Sequence, residues 1–216
     1  MNTEATATAA ATGSNPPPAR RRTPFGSHVA ATVAGLQERL LGRRVDSNVV
    51  ATMARLRAAA GKPPGSVYPV LDVTSVPDRF FPVPPGDDPT REEWAKHTAL
   101  TLYAGHQQSV GQPMHVDGVG LGTAISRLAR SASSPDAVRR RFSALGAVMT
   151  YEAAVYHVRG LISLLKQHRI PLDYGVLADD LLRLQWPGGH DRVRGQWGRE
   201  FYRSFTTPSA DADSEE

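Results

Sequence analysis

The chain of 216 residues has no cysteine. That excludes disulfides and thiolate metal sites, and it suits a reducing compartment. No run approaches the roughly 18 apolar residues of a membrane span. Arg21-Arg22-Thr23-Pro24-Phe25 has a trace of a twin-arginine export signal. Residues 28–36 after it are short and alanine-rich, and Gln37, Glu38 and Arg39 interrupt them, so export is rejected. β-alternation of useful length is missing, which leaves an all-α protein. G-x-S-x-G, H-x-x-x-H and H-E-x-x-H are missing too, and no nucleophile–base pair stands out. His97 and His106 lie nine residues apart, on nearly opposite sides of one helix. Asp179 and Asp180 diverge by about 100° and are poorly placed to share a metal. No enzyme, metal site or cofactor is expected.

What is present is arginine. Lys plus Arg number 25 against 21 Asp plus Glu. Asp211, Asp213, Glu215 and Glu216 gather at the end as an acidic tail, so the folded part is more basic than the total. Nearly all the positive charge is guanidinium, a planar fork that stays charged and suits phosphate.

Residues 1–26 are Ala/Thr repeats, a proline triplet and Arg20-Arg21-Arg22. They carry too little apolar surface to offset chain ordering, and disorder is expected. Helices are predicted from Ser27 to about Leu41 and from Asp46 to Ala60, where Gly61 ends the second. Residues 61–89 are rich in proline yet hold Val67, Tyr68, Val70, Leu71, Val73, Phe80 and Phe81. This pattern predicts an ordered strap over the helices with one short helix or strand. Thr90-Arg91-Glu92-Glu93 is a capping box for a central helix reaching about Ser109, with Lys96 in its more exposed first half.

Residues 117–122 read D-G-V-G-L-G. They lack the third glycine of a dinucleotide fingerprint and the Gly-Lys-Ser/Thr of a P-loop, so the glycines are read as a tight helix start and close packing. That helix ends near Arg130. Ser134-Pro135-Asp136 opens the next, with Val138, Phe142, Leu145 and Met149 inward and Arg139, Arg140 and Arg141 between them.

Residues 151–166 stand out as the element the chain is built around. Tyr151, Ala154, Val155, Val158, Leu161, Ile162 and Leu165 form one broad stripe. Arg159 and Lys166 sit two turns apart on its flank. Asp173 then caps a helix to about Trp186. A last helix, from about Asp191 to Phe205, buries Val193, Trp197 and Phe201 and aligns Arg192, Arg199 and Arg203 opposite them. The whole is expected as a two-lobed bundle of seven to eight helices, with lobes at about 27–131 and 134–206 and an acidic tail over 207–216.

Several stretches then carry a resemblance. They are M-A-R-L-R-A-A-A-G-K-P-P-G at 53–65, W-A-K-H-T-A-L-T-L-Y-A-G-H-Q-Q at 94–108 and P-M-H-V-D-G-V-G-L-G at 113–122. With them come R-R-F-S-A-L at 140–145, H-V-R-G-L-I-S-L-L at 157–165, I-P-L-D-Y-G-V-L-A at 170–178 and D-R-V-R-G-Q-W-G-R-E-F-Y at 191–202. In number and order these resemble the CasB family, the small subunit of the type I-E CRISPR surveillance complex Cascade. The resemblance spans about residues 36–205; the two tails fall outside it.

The resemblance implies a cytoplasmic, non-catalytic helical subunit in antiviral defence. Its implied partners are the other Cascade subunits, a second copy of itself, CRISPR RNA and target DNA. Its basic surface would hold nucleic acid without sequence preference and steady the displaced strand. The candidate residues are Arg55, Arg57, Lys62, Lys96, Arg139, Arg140, Arg141, Arg159, Arg192, Arg194 and Arg199. Such binding needs several phosphate contacts and no base-reading geometry. Arg57 and Arg159 flank apolar stripes and are equally readable as internal ion-pair partners. The alternative is a structural adaptor whose arginines meet acidic neighbouring subunits. A stand-alone repressor would need a recognition helix after a tight turn, which is not visible.

Overall fold

The computed structural model describes residues 20–83 and 86–206, the last two without their side chains. Residues 1–19 of the tail expected over 1–26, and all of the tail expected over 207–216, lie outside these residues. Nine α-helices form among them, joined by turns, and the fold is all-α.

Helix α1, Pro24–Leu41, starts earlier than the sequence indicates. Thr23 caps it by accepting from the Gly26 amide, and Pro24 fills the first turn, where its missing N–H costs nothing. Residues 20–26, expected within a disordered tail, are instead ordered. Distant contacts hold this segment. Arg20 pairs with Asp180, and with Glu200 at 3.2 Å. Arg22 bonds both carboxylate oxygens of Asp173 at 2.9 Å. Asp180 in turn accepts from the Trp197 indole at 2.7 Å, while Asp179 accepts from the Thr23 amide at 2.8 Å. The two adjacent acids thus serve different partners. No group of three potential ligands for a metal occurs among the described residues.

Helix α2, Ser47–Ala59, is capped by Asp46. Gly61 follows with φ +84, the left-handed turn that ends a helix and that glycine adopts without strain. The described part of the strap, residues 61–83 and 86–89, is ordered as expected. It holds a 3₁₀ turn at Tyr68–Val70, the short helix α3 at Leu71–Thr74 and a second 3₁₀ turn at Asp78–Phe80. Val70, Thr74 and Val76 are buried, and Phe80 packs edge-on to Phe25.

The element order then runs α4 (Arg91–His106), α5 (Leu121–Ser131), α6 (Pro135–Ala147), α7 (Tyr151–Gln167), α8 (Tyr174–Leu184) and α9 (Gly189–Thr206). The Thr90/Glu93 capping box is present in both directions. Asp173 caps α8 through the Gly175 and Val176 amides. Val138 and Leu145 are buried on α6, but Met149 lies beyond the helix and is exposed. The only β-type pairing among the described residues is an isolated bridge between His115 and Leu172.

The centre of the molecule is not α7, as its stripe implies, but α4 and α8. Both are buried on nearly every side, and they pack on each other. α7 keeps one face dry and turns the other outward. Helix α1 lies on α8, and α5 lies along α9. The segments 27–131 and 134–206 therefore share one core, which runs from Phe25 to Phe201. The glycines of 117–122 do what close packing requires. A Cβ on Gly122 would collide with the Trp197 carbonyl oxygen and the Glu200 side chain.

Candidate nucleic-acid interface

The outward face of α7 borders a cleft of about 630 Å³ between α2, α4 and α7. Arg159, Ser163 and Lys166 reach it from one strip of α7, spaced four and three residues apart. Arg57 enters from the last turn of α2, and Arg169 from just beyond α7. Thr101, Leu102 and Gly105 of α4 form the floor. Four cations thus line the cleft, and no carboxylate among the described residues does.

Gly61 lies against one of these cations. An added Cβ there would sit 3.5 Å from an Arg159 guanidinium nitrogen, so the helix end and the arginine lie in close contact. Lys62 follows, exposed. Arg159 also borders a second cavity of about 470 Å³, shared with Arg141, Tyr156, His157, Gly160 and Leu164. The two cavities share Arg159 and Ser163, so positive charge continues from Arg169 to Arg141.

Under this surface the histidines stay neutral. His106 accepts or donates to the Tyr174 hydroxyl at 2.9 Å. Burial first, and then the charge of Lys166, push it down to about 4. His97 is lowered chiefly by burial and meets the Ala59 carbonyl at 3.2 Å. His97 and His106 therefore add no charge beneath the cleft at neutral pH.

The other candidate residues divide. Lys96 is not on the surface. It is 3 % exposed, donates to the Ser75 carbonyl at 2.6 Å and faces His28 at 3.0 Å. Burial lowers it to about 8. It ties the strap to the core, and its assignment to phosphate is withdrawn. Arg194 is likewise held in the fold. It donates to the Gly146 carbonyl at 2.7 Å and pairs with Asp191, joining α9 to the end of α6. Arg139 is exposed and pairs with Asp136 at 3.5 Å. Arg55, Arg140 and Arg192 are exposed, as is Arg199, which donates to Gln196 at 3.1 Å. None of these lines either cavity.

Lys166 and Arg169 line the cleft but are not among the candidate residues drawn from the sequence. The signal for Lys166 was its two-turn spacing from Arg159. Nothing local marks Arg169, which enters because its backbone turns left-handed at φ +54.

These features define an all-α protein with a basic cleft beside its central helices. The family model of CRISPR-associated protein Cse2 matches residues 52–202. The chain belongs to that family. It is similar to CasB from Thermobifida fusca, at 38% identity and a TM-score of 0.69, over 84% of this chain and 99% of that one. A Cse2-family CRISPR-associated protein from Thermus thermophilus matches at 25% identity and a TM-score of 0.60, over 82% and 97%. A chain of a CRISPR RNA-guided surveillance complex has the same fold at 18% identity and a TM-score of 0.64, over 84% and 95%. No curated protein matches the sequence significantly.

Proposed function

We propose that this protein is a non-catalytic small subunit of a type I-E CRISPR surveillance complex, working in the cytoplasm in antiviral defence. Its partners are the other Cascade subunits and a second copy of itself. Its basic surface holds sugar–phosphate chains without reading sequence, and so steadies guide RNA, target DNA and the displaced strand. In such assemblies base pairing reads sequence, while protein grips backbones and the opened strand.

One observation supports the reading: the cleft of Arg57, Arg159, Lys166 and Arg169, extended by Arg141, which no carboxylate among the described residues lines. Cations brought together without acids repel one another. Among the described residues no carboxylate lines the cleft to offset this, whereas a polyanion does. Lys62 and Arg140 extend the surface. Arg55, Arg139, Arg192 and Arg199 are secondary contacts.

The test is fluorescence anisotropy of the full chain with a labelled single strand across a salt series. If six cations contact phosphates, log affinity falls against log salt with a slope of roughly −4. A slope near zero sinks the reading. In the assembled complex, Arg139→Glu with Arg140→Glu separates it from a purely structural adaptor. Here the pair weakens DNA binding and spares assembly; an adaptor would lose assembly.

A further inference from the structure

The second cavity differs in kind from the cleft it adjoins. Tyr156 stands 74% exposed on α7. His157 lies beside it with ring centroids 5.5 Å apart. One turn on, at the position that shares the face of Tyr156, is Gly160. Glycine is the poorest former of helix interior after proline. Close packing often explains such a glycine, as at Gly122. At Gly160 it does not, because a Cβ there would meet no atom within 4 Å. The fold does not require this glycine. What its bare backbone leaves is a flat opening between the Tyr156 ring, the half-buried Leu164 and two arginines, Arg141 and Arg159.

We infer that Tyr156 and Gly160 form a stacking slot for one unpaired nucleobase, which makes this surface favour single strands over duplex. The inference rests on the phosphate-binding reading above. Arg141 and Arg159 supply charge complementarity for the flanking phosphates. A planar ring laid on Tyr156 gains base–aromatic stacking, a contact open to any base and so free of sequence preference. A paired base in a duplex keeps its faces covered and cannot enter.

The experiment compares the wild-type full chain with Tyr156→Ala and Gly160→Leu. Each is titrated at low salt against a fluorescein-labelled oligothymidylate, an abasic strand of the same length and a duplex of that length. Tyr156 is exposed, and Gly160→Leu points into open space, so both variants fold. The leucine raises Tm by about 2–4 °C through helix propensity alone. Expected is a roughly tenfold weaker grip on oligothymidylate in both variants, with the abasic strand and duplex unchanged. The salt slope is also unchanged, because no phosphate contact is removed.

Variants that bind oligothymidylate like wild type overturn the slot and leave the basic cleft standing. Variants that lose all three ligands equally also overturn it, since the effect is then not on a base. A wild-type chain that binds none of the three overturns both the slot and the cleft, and leaves the surface to an acidic protein partner.

Discussion

Arg20 and Asp180, 160 residues apart in sequence, form an ion pair in which the carboxylate is wholly buried. Asp180 also accepts from Trp197, so the pair locks the segment just before α1 to α8 and α9 together. Arg20→Met leaves that carboxylate without its cation. Loss of about 3–5 kcal/mol is expected, read as a lower midpoint in urea. Arg20→Met with Asp180→Leu recovers part of the loss, since an apolar pair carries no stranded charge. Affinity for single strands is expected to stay within about twofold in both, because neither residue borders the cleft.

Reversing charge in the cleft has the opposite profile. Arg159→Glu with Lys166→Glu is expected to weaken single-strand binding and to flatten the salt slope by roughly 1.4, two phosphate contacts' worth. Stability changes little, because both side chains face outward. Arg194→Glu is the contrasting control. It breaks the bonds to Gly146 and Asp191 and destabilises the fold by about 1–2 kcal/mol, while the salt slope holds. Anisotropy and urea titration on the same samples check both.

Acid should loosen the strap through His28. Burial lowers this histidine first, and the charges of Lys96 and Arg79 add to it. The unfolded chain then binds a proton that the folded chain refuses. The contribution of His28 is complete above its ordinary value of 6.5 and is lost as pH falls through the folded value. The expected outcome is a wild-type urea midpoint that drops more between about pH 7 and about pH 5 than that of His28→Gln. His106 and His115 are lowered too, but they are common to both proteins and cancel in the comparison.

Gly122→Ala tests the approach of α5 to α9. The new methyl meets the Trp197 carbonyl oxygen, which belongs to backbone and cannot swing away. Destabilisation of about 1–3 kcal/mol is expected by thermal denaturation. A neutral result would mean that the two helices tolerate separation at this point.

How much of this the sequence disclosed follows from the range of the interactions. Helix starts were readable because their causes are local: Thr90 with Glu93, Asp46 with Asn48, Asp173 with Gly175 all lie within three residues. The start of α1 was missed because Arg20 and Arg22 find their acids on α8 and in the loop before it. Without those partners the segment reads as a charged tail. Lys96 was misplaced for a similar reason. Its position on α4 is ordinary, and only the strap laid over it makes it a buried amine. The basic flank of α7 was legible from the spacing of Arg159 and Lys166. Its depth was not, since the walls come from α2 and α4. Arg194 had the composition of a surface contact and the geometry of a clamp.

The interleaving of α1 with α8 bears on how a minimal version of the protein can be cut. The matched family region begins at residue 52, after α1 has ended. A fragment trimmed to those limits would bare the side of α8 that Gly26 and Ala30 of α1 now approach. It would also strand Asp173 and Asp180 without their arginines. Such a fragment is expected to precipitate rather than fold, so the shortest soluble form begins no later than Arg20.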